Sequence, residues 1–248
     1  MKVIDILRKN DSNINEILKY ILDIDIFKNF DYTLNNKEKN KFLYLKKKYD
    51  NSIPIEYIVK KAYFDKYTFF VNKNVLIPRI ETSDILAYLS SEKYKNILDL
   101  ATGSGAVGIS IKKINPKIKV TLSDISLKAL HVADINRNDL DIDIIHSDLI
   151  ANIENILSFD CIFANLPYIK DMDSLPSSVK DYEPKIALFG GINGVEIILR
   201  LINELEKIKW RGDLYLELDP AEIKYIKKEK EIIKDRFNKN RFIKIKFN

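Results

Sequence analysis

Residues 96–108 read NILDLATGSGAVG, and residues 159–169 read FDCIFANLPYI. The first is an apolar run that ends in an acid, followed by a glycine-rich turn and a helical pattern. The second is another apolar run, and it ends at Asn165-Leu166-Pro167-Tyr168. Both read as buried strands with polar groups at their carboxyl ends. Outward from them, strands are expected at 96–100, 119–123, 142–146, 159–164, 213–217 and 241–247. Helices are expected at 106–114, 127–138, 194–208 and 221–233. Alternation of this kind predicts an α/β domain, with helices on both faces of a parallel sheet and right-handed crossovers. The full reading is a doubly wound, seven-stranded, Rossmann-like sheet with a final antiparallel strand.

The first 62 residues are helical and polar in pattern. Ile4, Ile6, Leu7 and then Ile14, Ile17, Leu18, Ile21, Leu22 recur at helix spacing, with Asp11-Ser12-Asn13 as a cap cluster. Phe42, Leu43, Leu45 and Tyr49 follow a charged lead-in at 35–41. This stretch, 1–62, is read as a small helical substrate-recognition domain. Ser52-Ile53-Pro54 breaks the helices, and 57–75 turns β-like through Tyr63, Tyr67, Phe69 and Val71, with turns at Asp65-Lys66 and Asn72-Lys73-Asn74. A β-hairpin linker is therefore placed at 63–77, with the 241–247 run as its partner. The catalytic domain is placed at 78–248, and Glu81-Thr82-Ser83-Asp84 opens a helix that runs through Leu89.

Composition narrows the function classes. The chain has 248 residues, 46% hydrophobic and 31% charged, with a net charge of +5 spread over scattered lysines. That balance suits an approach to anionic surfaces, yet no basic cluster points to direct nucleic-acid binding. The single Cys161 lies inside an apolar run, which excludes an internal disulfide and fits a reducing compartment. Two histidines and one cysteine make no metal-ligand set. The start MKVIDILRKND is not a signal peptide, and no apolar run is long enough to span a membrane. A cytoplasmic monomer is expected.

Glycines at 103, 105 and 108 let backbone approach a ligand where a Cβ would intrude. G-x-G-x-x-G alone is shared with NAD and FAD proteins. Three acids sharpen it. Asp99 suits a cationic amino group, Asp124 is placed for both ribose hydroxyls, and Asp148 for an adenine amino group. Acids at three successive strand ends suit S-adenosyl-L-methionine, with Thr102 and Asn165 completing the cofactor set. Asp124 as a helix cap and Asp148 as a solvated loop acid are the plainer alternatives.

Asn165-Leu166-Pro167-Tyr168 lies across the switch point from that turn. An amide or aromatic-amine nitrogen is a weak nucleophile because its lone pair is delocalised. The Asn165 side-chain oxygen and the Leu166 carbonyl would accept both N–H bonds and aim the lone pair at a methyl donor. Pro167 stiffens the turn, and Tyr168 offers a face to a planar substrate. Methylation of an amide or amino nitrogen is the chemistry expected.

At this point the chain resembles the bacterial release-factor glutamine methyltransferases, the PrmC/HemK family, over roughly four fifths of its length. The residues that carry the resemblance are Pro54-Ile55-Glu56-Tyr57-Ile58, Val75 through Thr82, Asp99 through Gly105, Asn165 through Ile169, Tyr182-Glu183-Pro184 with Ala187-Leu188 and Gly191, and Leu216-Glu217. The resemblance implies a class I S-adenosylmethionine-dependent methyltransferase acting on the glutamine of the Gly-Gly-Gln motif of peptide-chain release factors, hence a part in translation termination. It implies that Asn165 and Leu166 hold the glutamine amide and that Tyr168 packs beside it. It also implies that Glu183 shapes the substrate pocket and that Arg79 and Glu81 stand behind the cofactor. Three departures stand out: Leu166 replaces the usual first proline, Ala101 replaces a common glycine and so calls for a negative φ, and the helical region is short. Asn-Leu-Pro-Tyr is also typical of rRNA adenine dimethyltransferases, the main alternative. Ile77-Pro78-Arg79, Tyr182-Glu183-Pro184 and the N-terminal position of the helices stand against them. A non-catalytic cofactor-binding adaptor and a DNA adenine methyltransferase are the remaining readings.

Overall fold

The computed structural model describes residues 1–8, 11–22, 24–91, 93–171 and 173–248. They form two compact units: Met1–Lys61 with Leu175–Tyr182, and Ala62–Ser174 with Glu183–Asn248.

The first unit holds helices α1 (Val3–Leu7), α2 (Ser12–Leu22), α3 (Asn36–Asp50) and α4 (Ile55–Val59). Asp11 Oδ1 accepts the amides of Asn13 and Ile14 at the start of α2. Asn35 and Glu38 form a reciprocal capping box at the start of α3. The apolar stripes of these helices meet in one small core around Val3, Ile17, Leu18, Ile26, Phe42 and Ile58. The Tyr182 hydroxyl donates to the Asn51 carbonyl, tying in the second segment of this unit.

The second unit opens with the hairpin β1 (Ala62–Phe64) and β2 (Tyr67–Phe69), followed by a short 3₁₀ turn at Glu81–Ile85 and α5 (Leu86–Leu89). The hairpin turns at Asp65-Lys66, with Asp65 at φ +51°. The rest runs β3 (Asn96–Leu100), α6 (Ala106–Ile114), β4 (Lys119–Asp124), α7 (Leu127–Arg137), β5 (Asp143–His146) and β6 (Cys161–Ala164). It then passes α8 (Ser177–Lys180, in the first unit), α9 (Glu196–Lys207), β7 (Gly212–Glu217), β8 (Glu231–Lys234) and β9 (Asn240–Phe247). The seven-stranded sheet has the order β5-β4-β3-β6-β7-β9-β8. Its first five strands are parallel, and β9 is antiparallel to both neighbours. Two apolar layers cover it, one containing Ile198, Leu201 and Trp210 and the other Ile85, Ile109 and Phe242. Each fully buried Ile or Leu contributes about 1.5–3 kcal/mol, so these layers hold the sheet.

Four expectations are corrected. The helix expected at 221–233 is a 3₁₀ turn at Ile223–Tyr225 followed by β8. Its Ile223, Ile226, Ile232 and Ile233 mimic helix spacing, but pairing along β9 overrides that local pattern and buries Ile233. The 241–247 run pairs with β7 and β8, not with the β1–β2 hairpin, because its buried Phe242 on one face and Ile243 and Ile245 on the other complete the sheet core. Residues 57–59, expected to be β-like, end α4, and Lys60 closes that helix in the left-handed region. The single helix expected at 81–89 is a 3₁₀ turn continued by α5.

Candidate active site

β3 and β6 are parallel neighbours, with Leu100 opposite Ala164. The chain leaves β3 toward β4 and β5 on one side and resumes at β6 and β7 on the other, so the switch point lies between β3 and β6. A pocket opens at their carboxyl ends. Its lining includes Asp99, Thr102, Gly103, Asp124, Asp148, Asn165, Leu166, Pro167 and Arg79. The two stretches that framed the sequence reading thus end side by side.

The turn after β3 is closed by its own residues. Asp99 is buried, and its Oδ2 accepts the Thr102 hydroxyl (2.5 Å) and the Gly108 amide (2.8 Å). Burial pushes its carboxyl up to about 6, against the pull of those two donors. Gly103 sits at φ +57° with open space where a Cβ would stand. A Cβ on Gly105 (φ +82°) would come within 2.6 Å of Ile109, and one on Gly108 within 2.3 Å of Leu122. Ala101 is at φ +57°, which overturns the negative φ expected of it. The tight turn needs that conformation at this position, and an L residue there costs about 1–2 kcal/mol.

Asp124 is largely buried, and its two oxygens accept the Gly103 amide (2.9 Å) and the Ser126 amide (2.8 Å). Burial raises its pKa, while these amides oppose the rise. The helix cap of α7 is Ser126, which accepts from Ala129, so Asp124 serves the loop and the pocket instead. Asp148 also lines the pocket, but Arg200 from α9 grips both its oxygens. Sequence reading missed Arg200, since nothing in the pattern of α9 singles it out. It also missed Ile125, exposed beside Asp124 in the pocket wall, and Leu149 beyond Asp148. An apolar residue directly after a strand-end acid was the signal for both.

The turn after β6 is closed from far away in sequence. Leu166 is 3% exposed and packs in the main core. The Ile169 amide donates to the Leu188 carbonyl (3.0 Å), and the Gly190 amide donates to the Ile169 carbonyl (2.9 Å). A Cβ on Gly190 would lie 2.2 Å from the Pro167 carbonyl oxygen, and one on Gly194 2.3 Å from that of Tyr168. The 188–194 loop therefore presses directly on the backbone of the turn. Tyr168 is partly buried against the core, and burial moves its phenol up to about 12.

Arg79 lies in the pocket wall and pairs with Glu183 (2.6 Å). Glu183 is buried, and its other oxygen accepts the Ile77 amide (3.2 Å). Glu183, Glu81, Gly105 and Tyr168 are not in the pocket wall. Cys161 is buried and its thiol is pushed up, so it carries no nucleophile. His146 shares a hydrogen bond with the Ile125 carbonyl (2.9 Å). Among the described residues no group of His, Cys, Asp and Glu is placed to hold a metal ion, and no helix is long and apolar enough to cross a membrane.

The family model described as "Methyltransferase small domain" matches residues 80–181. The chain is 37% identical over 214 residues to "Release factor glutamine methyltransferase" from Clostridium acetobutylicum, covering 80% of this chain and 74% of the relative. The protein of the same name from Borreliella burgdorferi is 38% identical over 213 residues, covering 82% and 73%. Among solved structures, the hMettl16 catalytic domain in complex with the MAT2A 3'UTR hairpin 1 is similar at a TM-score of 0.56 and 13% identity, covering 99% of this chain and 91% of that one. At that identity the likeness speaks for the fold alone.

Proposed function

The chain belongs to the release factor glutamine methyltransferase family, and from that premise we propose that it methylates the side-chain amide nitrogen of the Gly-Gly-Gln glutamine in peptide-chain release factors. The single observation that carries the reading is the adjacency of the Asp99–Gly105 turn and the Asn165–Tyr168 turn at the ends of paired strands β3 and β6. One end suits a methyl donor and the other a planar amide.

Four features of the pocket fit S-adenosyl-L-methionine. Gly103 leaves open space beside the turn. Asp124 has spent one lone pair of each oxygen on loop amides and keeps the others for a diol. Asp99 has Oδ2 committed to the turn and Oδ1 for an amino group. Ile125 and Leu149 supply apolar surface for a purine. When bound, the cofactor supplies an electrophilic methyl group on a sulfonium. Asn165 accepts one amide N–H and the Leu166 carbonyl the other, which orients the nitrogen lone pair. The nitrogen becomes acidic as it is alkylated, and water takes the proton. Catalysis is then chiefly positioning. Asp148 is held by Arg200, and the pair forms the wall where the adenine amino group would lie. Arg79, fixed by Glu183, stands in the pocket wall, and Glu81 stands behind it. The helical unit formed by the first 61 residues grips the protein substrate. The enzyme acts in the cytoplasm as a monomer, without direct contact to nucleic acid.

The test is methyl transfer from labelled S-adenosylmethionine to a release factor, to its loop Gln→Ala variant and to unmodified rRNA in parallel. Label in the intact release factor alone is expected. Label in rRNA and none in protein would overturn the substrate, and no label with cofactor bound would revive the adaptor reading.

A further inference from the structure

The glycine-rich turn after β3 closes through its own contacts, but those contacts do not fix how far the neighbouring wall of the pocket stands from it. That wall is the segment 70–84, which runs on from the β1–β2 hairpin. It supplies Asn74, Leu76 and Pro78 to the pocket that Gly103, Ser104 and Ala106 also line. Three side chains hold the segment. Glu183 takes its middle, accepting the Ile77 amide and the Arg79 guanidinium. Arg236, from the β8–β9 turn, takes the far end: its backbone amide and its Nε donate to the two oxygens of Asp84 (2.7 and 2.8 Å). Asn136, in the last turn of α7, takes the near end. Its Oδ1 accepts the Phe70 amide (2.7 Å), and its Nδ2 donates to the Phe70 carbonyl (2.9 Å). The same Nδ2 donates to the carbonyl of Ser104 (2.8 Å), inside the glycine-rich turn.

We propose that Asn136 is a positioning residue for the cofactor: it latches the segment 70–84 to the glycine-rich turn and so sets the width of the slot in which S-adenosyl-L-methionine sits. The proposal rests on the reading of that turn as the cofactor's seat. A carboxamide is matched to the task. Its oxygen takes the one amide, and its two N–H bonds serve the two carbonyls. The side chain thus pairs with Phe70 as a neighbouring strand would, and one proton is left for Ser104. Aspartate has the same shape and neither donor, and it would set a carboxylate oxygen against two carbonyls. The latch stands on elements already fixed by packing. Ala133, three residues earlier on α7, is buried in the same apolar layer as Phe64 and Phe69 of the hairpin. Packing brings helix, hairpin and turn together, and the carboxamide holds their spacing within the tolerance of a hydrogen bond, about half an ångström.

The experiment compares Asn136→Asp and Asn136→Ala with the parent in the full chain, with Asp124→Ala alongside. Calorimetric titration with S-adenosylhomocysteine should show an affinity about tenfold lower in Asn136→Asp, the scale of a buried polar group left unpaired. In turnover, the KM for S-adenosylmethionine should rise by a similar factor, while kcat at saturating cofactor stays within about twofold of the parent. Asn136→Ala places no charge against the carbonyls and should lose less; it carries the same test if the aspartate variant does not fold. The Phe70 amide should exchange slowly with deuterium in the parent and faster in Asn136→Ala. An amide that exchanges fast in the parent would overturn the latch. Parent-like affinity in both Asn136 variants, even with a lowered unfolding midpoint, would overturn the proposal and leave Asn136 a structural residue. If Asp124→Ala then binds like the parent as well, the reading of the turn as the cofactor's seat falls too. If Asp124→Ala loses affinity, that reading stands and the proposal alone fails.

Discussion

The two turns of the pocket are built in opposite ways. The turn after β3 closes on itself: Asp99 holds Thr102 and Gly108 within nine residues of chain, and Asp124 from the neighbouring strand end holds Gly103. The turn after β6 is closed by others. Gly190 and Gly194 press on it from about two dozen residues downstream. The first costs little entropy to form and is stable by local logic. The second is closed only once the 188–194 loop has come back against it. If the turns bind cofactor and amide as proposed, the two depend on different closing contacts, and substitutions should separate them.

The largest separation is expected from Asn165→Ala. Turnover should fall about a hundredfold or more, with calorimetric cofactor affinity nearly unchanged; unchanged turnover would remove Asn165 from the amide clamp. Gly190→Ala comes next. Its methyl would meet the Pro167 carbonyl, so kcat should drop about tenfold or more while cofactor affinity holds. A variant that lost cofactor instead would show the two turns to be coupled. On the other side, Asp124→Ala should weaken cofactor binding by about 1–3 kcal/mol with the amide clamp intact. An isotherm matching the parent's would refute the role given to Asp124.

Two smaller effects test the supports. Burial raises the Glu217 carboxyl from 4.5 to about 7. The folded chain then binds that proton more tightly than the unfolded one. Its contribution to stability is full below the ordinary carboxylate pKa and is lost as pH rises through about 7. Glu217→Gln should abolish that slope, making the variant more stable than the parent at pH 8 by about 1–3 kcal/mol and equal to it near pH 4. Parallel stability curves from denaturant titration would contradict this. The smallest effect is Ala101→Gly, which relieves a left-handed alanine. The gain in stability should be about 1 kcal/mol, read as a shift in the unfolding midpoint.

The same contrast explains what the sequence made legible. The β3 turn was readable because its determinants lie within one short stretch: an acid, a threonine and spaced glycines. Asn165 through Tyr168 was readable as a motif, but its supports were not. Gly190 and Gly194 mark no periodic pattern, and their purpose appears only where another backbone approaches. Asp148 was recognised as a strand-end acid, yet its partner Arg200 comes from a helix face fixed by packing alone. β8 was misread because isoleucines at 223, 226, 232 and 233 satisfy helix spacing, and only the presence of β9 makes 231–234 extended.

The position of β9 has a consequence for synthesis. Residues 240–247 are among the last of these 248 to leave the ribosome, yet they lie between β7 and β8 in the sheet. Until they emerge, β7 presents an open ladder of amides and carbonyls, and β8 has no neighbour. A nascent chain at that stage can already fold the β3–β6 half and its donor pocket. A chain cut short at residue 239 would leave β7 with an open, sticky edge and β8 without the strand it pairs with.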